Sequence, residues 1–322
     1  RDVLTDDSIH NAMVTHAAFG GSTNLILHVP AIAHAAGLRR PTVDDWAQIN
    51  RLVPRIVDVL PNGPHHYATA QVFLAGAVPE VMLYLRDLGL LRLGARTVSG
   101  RTLGENLAWW ESSERRQRLR AKLQELDRVN PDDVILSPGK ARARGLTPTI
   151  TFLQGNLAPQ GALVKSTAIA PERIDAHGVF LHEGPARVFT SEAAAITAVK
   201  AGALKAGDVL VLMGIGPGCG MPETYQITSA LKYVRDGSKI ALLTDGRFSG
   251  VSTGACIGHV SPETWAGRPI GRLTGSVQYR AGRCRSARAD QQVGDQAYLA
   301  EPHRSEHQRR REHHIDGVER VR

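Results

Sequence analysis

The chain has 322 residues, 42 % of them hydrophobic, with 32 Gly, 17 Pro and 3 Cys. That length exceeds one compact core and the apolar share is that of an ordinary globular protein, so about two domains are expected and wholesale disorder is excluded. The formal charge is +8, from 39 Lys and Arg against 31 Asp and Glu, and no basic stripe marks a defined element in the body of the chain, so a nucleic-acid partner is not expected.

The first 145 residues read as mainly helical. Thr5 to Ser8 offer N-cap candidates ahead of Ile9, Ala12 and Met13. The small-residue turn Gly20-Gly21-Ser22-Thr23-Asn24 opens an apolar stretch that stops at Gly37. Pro41 to Trp46 looks like a second helix start. Val72 to Leu88 predicts one helix capped by Gly89, and Thr102 to Asp127 predicts another, Arg-rich and solvated.

Near residue 145 the pattern changes. Thr147–Phe152, Gly161–Lys165, Ala186–Phe189, Asp208–Leu212 and Ile240–Thr244 are short strand candidates between Gly and Pro turns, with helical pieces at Ser191–Ala201 and Thr224–Val234. The expected class is α/β: a helix-rich part over 1–146, a β-rich unit over 147–273, then an Arg-rich tail over 274–322. That tail has little apolar periodicity and is expected to be disordered.

No apolar run approaches the roughly 18 residues of a membrane span, so no membrane partner is expected. Cys219, Cys256 and Cys284 form neither a disulfide framework nor a zinc spacing, which suits a reducing, cytoplasmic compartment. The chain starts at Arg1 rather than Met, and is expected to begin inside a longer protein.

Four segments could carry chemistry. Gly214 to Glu223 places four glycines within seven residues directly after a strand, where backbone N–H groups can approach an anion. It matches neither the P-loop nor the dinucleotide fingerprint. Glu223, where this loop meets a helix, suits Mg²⁺, which favours few carboxylates plus substrate oxygens; a helix dipole would equally favour a carboxylate there. In the second segment Asp245, Arg247, Ser249, Ser252 and Thr253 crowd another strand end, as in a polar site or simply a polar turn. In the third, Cys256 reads as a buried packing thiol and His259 as an interior histidine. The fourth, Gly20–Asn24, fits an anion-binding helix start or a tight packing turn.

Taken together these segments resemble one family. Phe19-Gly20-Gly21-Ser22-Thr23-Asn24-Leu25-Ile26-Leu27-His28, Gly155-Asn156-Leu157-Ala158-Pro159-Gln160-Gly161, Gly218 to Glu223, Thr244 to Gly250 and Cys256 to Glu263 resemble, in order, hallmarks of the dihydroxy-acid dehydratase/phosphogluconate dehydratase family. His16–Phe19, Leu60–Pro64, Glu105–Glu111 and Glu223–Gln226 resemble its sugar-acid branch, the D-xylonate dehydratases.

The resemblance implies loss of water from a 2,3-dihydroxy acid to give a 2-keto-3-deoxy acid. Mg²⁺ and an Fe–S cluster, usually [2Fe-2S], are the implied cofactors. Ser249 is then the implied base, Glu223 a Mg²⁺ ligand, and Ser252 and Thr253 substrate contacts. A small-molecule sugar acid and a second copy of the chain, as dimer or tetramer, are the implied partners. The family's cluster cysteines, remaining Mg²⁺ ligands and modified lysine are expected upstream of residue 1, and the chain alone is expected to be inactive. After Gly271 the text departs from the family's, as a deletion and frameshift would produce.

Overall fold

A computed structural model describes residues 2–249, 252–264 and 268–273, and the backbone of two further strands, Gln278–Arg285 and Leu299–Ala300. The architecture is α/β. Among the described residues nine helices precede the first strand: α1 (Asp6–Phe19), α2 (Leu25–Ala35), α3 (Val43–Leu52), α4 (Thr69–Ala75), α5 (Ala77–Asp87), α6 (Leu103–Ser112), α7 (Glu114–Asp127), α8 (Pro131–Val134) and α9 (Pro138–Ala143).

Local chemistry sets the helix starts. Thr5, Thr42 and Thr102 each accept a hydrogen bond from the backbone N–H three residues on, while Ser8, Asp45 and Glu105 reach back to the cap N–H. These reciprocal boxes satisfy donors that a bare helix start would leave unpaired.

Two expected helices are each broken. Gly76, at φ 124°, splits Val72–Leu88 into α4 and α5, because only glycine adopts that backbone readily. Ser113 ends α6 with an extended residue and caps α7 by accepting from the Arg116 N–H. Buried Glu80 of α5 then ties the pieces together. Its carboxylate accepts from Arg116 at 2.7 Å, Arg120 at 3.2 Å and the Trp110 indole at 3.3 Å.

The β-rich part contains β1 (Ile150–Leu153), β2 (Gly161–Lys165), β3 (Val179–Phe189), β4 (Val209–Leu212), β5 (Ala241–Thr244), β6 (Cys256–Ser261), β7 (Gln278–Arg285) and β8 (Leu299–Ala300), with α10 (Glu192–Lys200) and α11 (Tyr225–Tyr233) between strands. The sheet order is β1-β2-β6-β5-β4-β3-β7-β8. Strands β3, β4, β5 and β6 run parallel as consecutive neighbours. The remaining pairs are antiparallel.

Alternation sorts the strand side chains into two layers. Val209, Val211, Ala241, Leu243, Ile257, Val164, Leu153 and Phe180 fill one core. Leu210, Leu212, Leu242 and Cys256 face the other way, against Ala195 and Val199 of α10 and Ile227 and Leu231 of α11. Strand β1 comes back against β7, so the sheet curls around the first core. Strand β6 is absent from the sequence expectation, because Cys256-Ile257-Gly258-His259 carries a glycine and a histidine where a buried strand usually carries branched residues. The expected disordered tail falls, apart from the β7 and β8 backbone, outside the described residues.

The helical and β-rich parts meet through shared contacts. Phe152 of β1 packs into the cluster of Ile9, Met13, Val29, Ala33 and Trp46. Asn62 donates to the Gly20 carbonyl at 3.1 Å and accepts from the Thr167 hydroxyl at 3.3 Å.

Candidate active site

The loops after β4 and β5 leave the carboxyl ends of two adjacent parallel strands, which is where α/β sheets collect ligands. This topology brings the two segments singled out in the sequence together. Glu223 and Arg247 form a parallel backbone bridge. Thr224 donates to the Arg247 carbonyl from its N–H at 2.9 Å and its hydroxyl at 2.8 Å.

Asp245 is the clamp of this edge. It is 1 % exposed and accepts from the N–H groups of Gly214, Ile215 and Thr264, each at 3.1 Å. Glu263 closes the same loop by accepting from the Gly218 N–H at 2.9 Å. Charge-assisted bonds to backbone N–H groups are the strong kind, so they fix the glycine loop against the β5 loop. Gly216 lies so close to Glu263 that a side chain there would strike it, and it is tightly packed against Asp245.

Glu223 is exposed. Among the described residues its carboxylate makes no hydrogen bond or ion pair. Helix α11 starts at Tyr225 and its first turn holds no acid, so Glu223 stands ahead of the cap rather than inside the turn where the dipole acts. Its hard oxygen donors fit Mg²⁺ as one ligand. Among the described residues no three His, Cys, Asp or Glu side chains converge as a metal site.

Ser249 is buried, and its carbonyl accepts from the Ser252 hydroxyl at 2.6 Å and from the Ser252 N–H at 3.0 Å. The Ser252 hydroxyl proton is therefore committed to bracing the turn under Ser249. Thr253 is exposed, and its carbonyl accepts from the Cys256 thiol at 3.7 Å. Arg247 donates from Nε to the Met221 carbonyl at 2.7 Å, and its Nη1 lies 3.5 Å from Nε2 of His28, one turn into α2. The helical part thus reaches the sheet edge through His28.

His259 is half-buried beside this edge, with its Nε2 atom turned inside. Its Nε2 has no hydrogen-bond partner among the described residues, so the interior histidine is only partly satisfied. Burial, then Arg247 and His28, pushes its pKa down to about 4. Its ring meets Phe248 edge-on at 6.3 Å, and its φ of 54° lies in the left-handed region that β-carbon residues avoid. Gly258 passes directly under Phe248, where a methyl group would run into the ring.

Among the described side chains, Cys219 and Cys256 do not suit an Fe–S cluster. Cys219 is exposed on the turn after β4, while Cys256 is buried, with its thiol pushed up to about 12 by burial. Cluster ligands must be thiolates that converge. The Cys284 side chain lies outside the described residues.

Lys165 went unnoticed in the sequence. It ends β2, and the preceding pairing of Val164 with Ile257 brings it beside Cys256 of β6. It is 5 % exposed, and burial lowers its pKa to about 8. The available signal was a lysine closing the strand Gly161-Ala162-Leu163-Val164, whose residues are otherwise small or apolar. The turn Gly20–Asn24 behaves as a packing turn: Gly20 lies against Thr149 and Arg55, and Gly21 against the His16 ring.

Comparison with known proteins gives this architecture a class. Residues 1–106 match the dihydroxy-acid/6-phosphogluconate dehydratase N-terminal family model, and residues 138–277 match its C-terminal counterpart. The chain belongs to the dihydroxy-acid/6-phosphogluconate dehydratase family. It is 60 % identical over 274 residues to the D-xylonate dehydratase YjhG of Escherichia coli K12, covering 85 % of this chain and 42 % of that protein. It is 61 % identical over 274 residues to D-xylonate dehydratase YagF of the same organism, with the same coverage. A dihydroxy-acid dehydratase of Nitratidesulfovibrio vulgaris Hildenborough is 41 % identical over 273 residues, covering 84 % of this chain and 45 % of that protein. The chain therefore spans less than half the length of these relatives.

Proposed function

We propose that this chain forms part of a sugar-acid dehydratase that removes water from D-xylonate to give its 2-keto-3-deoxy acid. The observation that carries the reading is the sheet edge where Glu223 and Ser249 are brought together by the Glu223–Arg247 bridge. The gap of 19 to 20 points in identity between the D-xylonate dehydratases and the dihydroxy-acid dehydratase supports the sugar acid over a branched-chain substrate. Residues 1–146 then form part of one domain and 147–273 a second.

In this reading Ser249 takes the C2 proton of the substrate. A serine hydroxyl is a weak base near neutral pH, so positive charge must favour its ionised form. Arg247, two residues earlier and fixed by Met221 and His28, is the cation this edge supplies. Loss of the C2 proton and the C3 hydroxyl leaves an enol, which tautomerises to the ketone. Glu223 would hold Mg²⁺, which when bound polarises the substrate carboxylate and 2-hydroxyl. Ser252 braces the base through its carbonyl, and Thr253 is the exposed residue from which a substrate contact could be made. Among the described residues no cluster ligand set converges, and an Fe–S cluster would be held by residues other than these. We further place the enzyme in the cytoplasm as a homo-oligomer. No helix among the described residues is long and apolar enough to cross a membrane.

The test is a chimera in which residues 1–273 of this chain replace the matching segment of the E. coli protein YjhG. Keto-acid formation from D-xylonate at least 10-fold faster than from a branched-chain 2,3-dihydroxy acid is expected. The reverse preference would overturn the substrate. The chain alone, reconstituted with iron, sulfide and Mg²⁺, is expected to give no turnover.

A further inference from the structure

Helix α2 departs from the rule that an apolar helix is buried. Its eleven residues, Leu25–Ala35, include no acid, lysine or arginine, yet only Val29 and Ala33 are buried. Leu25 is 39 % exposed and Ile32 47 %, and His28, Ala31 and Ala35 are exposed with them. Steps of three and four residues set Leu25, His28, Ile32 and Ala35 along one outer stripe. A surface helix ordinarily turns charged residues outward, as α7 does with Arg115, Arg118 and Lys122.

We propose that the outer stripe of α2 is covered by the remainder of a longer dehydratase chain, the polypeptide that brings the other metal ligands to Glu223. That occupant presupposes the dehydratase reading, whereas its test reads contact and not turnover.

Position, length and chemistry select this occupant. The stripe runs into the candidate site, because His28 lies within it and meets Arg247 at 3.5 Å, two residues before Ser249. The site is incomplete there. Glu223 is exposed, Mg²⁺ demands an octahedral set of oxygens, and no three His, Cys, Asp or Glu side chains converge among the described residues. A polypeptide that completes the site beside His28 lies against α2. The aligned residues make up 42 % of each E. coli D-xylonate dehydratase and 45 % of the Nitratidesulfovibrio vulgaris enzyme, so more than half of each relative lies outside the match and is long enough to do so. Permanent contacts bury apolar surface of this kind. A nucleic acid or an acidic partner would call for Lys and Arg, which α2 lacks.

The test uses the chimera of residues 1–273 with the E. coli protein YjhG. Ile32 and, in a separate protein, Leu25 are replaced by the photoreactive p-benzoylphenylalanine, and cross-linked peptides are identified by mass spectrometry after irradiation. Cross-links from position 32 or 25 to YjhG residues outside the replaced segment are expected. The same probe at Val98, which is 94 % exposed, is expected to give none. Cluster absorption reports that each protein has folded, and position 25 carries the test if the replacement at Ile32 does not fold. Cross-links only to residues 1–273 of a second copy would assign the stripe to self-association and overturn the proposal. Cross-links only within residues 1–273 of one chain, or none from the folded protein, would also overturn it. A chimera that cross-links as expected but prefers the branched-chain acid would overturn the substrate and leave this surface standing.

Discussion

Half-buried His259 and buried Lys165 are two bases displaced in the same direction, and each leaves a signature in stability against pH. For His259, depressed to about 4 from 6.5, the folded state resists protonation. Stability from this group is intact above pH 6.5 and falls as pH drops through 4, by at most about 3 kcal/mol. Urea unfolding at pH 7, 5 and 4 should show that loss, and His259→Gln should flatten it; an unchanged acid limb would contradict the assignment. Lys165, depressed to about 8 from 10.5, penalises the fold fully below pH 8 and releases that penalty between pH 8 and 10.5. Lys165→Met should therefore raise stability at pH 7 by at most about 3 kcal/mol and remove the alkaline rise. Asp245 works the other way: Asp245→Ala leaves three N–H groups without their acceptor and is expected to cost about 3 kcal/mol in the same unfolding assay. Of these residues, Asp245 stood out in the sequence because it sits in polar, glycine-rich text at a strand end, and His259 as an interior histidine beside Gly258. Lys165 did not, since Cys256 of β6 and Arg55, which lie near it, are distant in sequence and no local pattern encodes those contacts.

At the scale of elements, helix starts were legible and helix breaks were not. Thr5, Thr42 and Thr102 announce themselves because a capping box is a local device, complete within four residues. Gly76 and Ser113 interrupt apolar patterns that run on through them, so the periodicity of Val72–Leu88 and Thr102–Asp127 carries no trace of either break. What holds the broken pieces is Glu80, which joins α5 to α6 through Trp110 and to α7 through Arg116 and Arg120. Removing one partner of a buried charge cluster is strongly destabilising. Glu80→Ala is expected to cost about 3 kcal/mol, read as a lower denaturant midpoint; a loss under about 1 kcal/mol would show that the cluster is incidental. Strands β2, β4 and β5 were visible as short apolar runs between turns. Strand β6 was hidden because Gly258 is required under the Phe248 ring and His259 adopts a left-handed backbone, both demands of the neighbouring loop rather than of a strand.

Across the whole molecule, the two parts meet at the edge that carries the proposed chemistry. His28 of α2 touches Arg247, and Phe152 of β1 enters the helical core. The parallel order β3-β4-β5-β6 explains why two loops separated in sequence converge: adjacent parallel strands release their loops on the same side. The glycine-rich text of those loops made the candidate site legible. Its clamp, formed when Asp245 binds the N–H groups of Gly214 and Ile215, depends on strand order and was not. In the proposed function this edge supplies the proton-abstracting group of a dehydratase. The most direct measurement is kcat for D-xylonate in the chimera with the E. coli protein YjhG, comparing Ser249→Ala with its parent and following the visible absorption of the cluster in both. A fall of about 10³-fold with the absorption unchanged is expected if Ser249 is the base; turnover by Ser249→Ala within a few-fold of the parent would contradict that role.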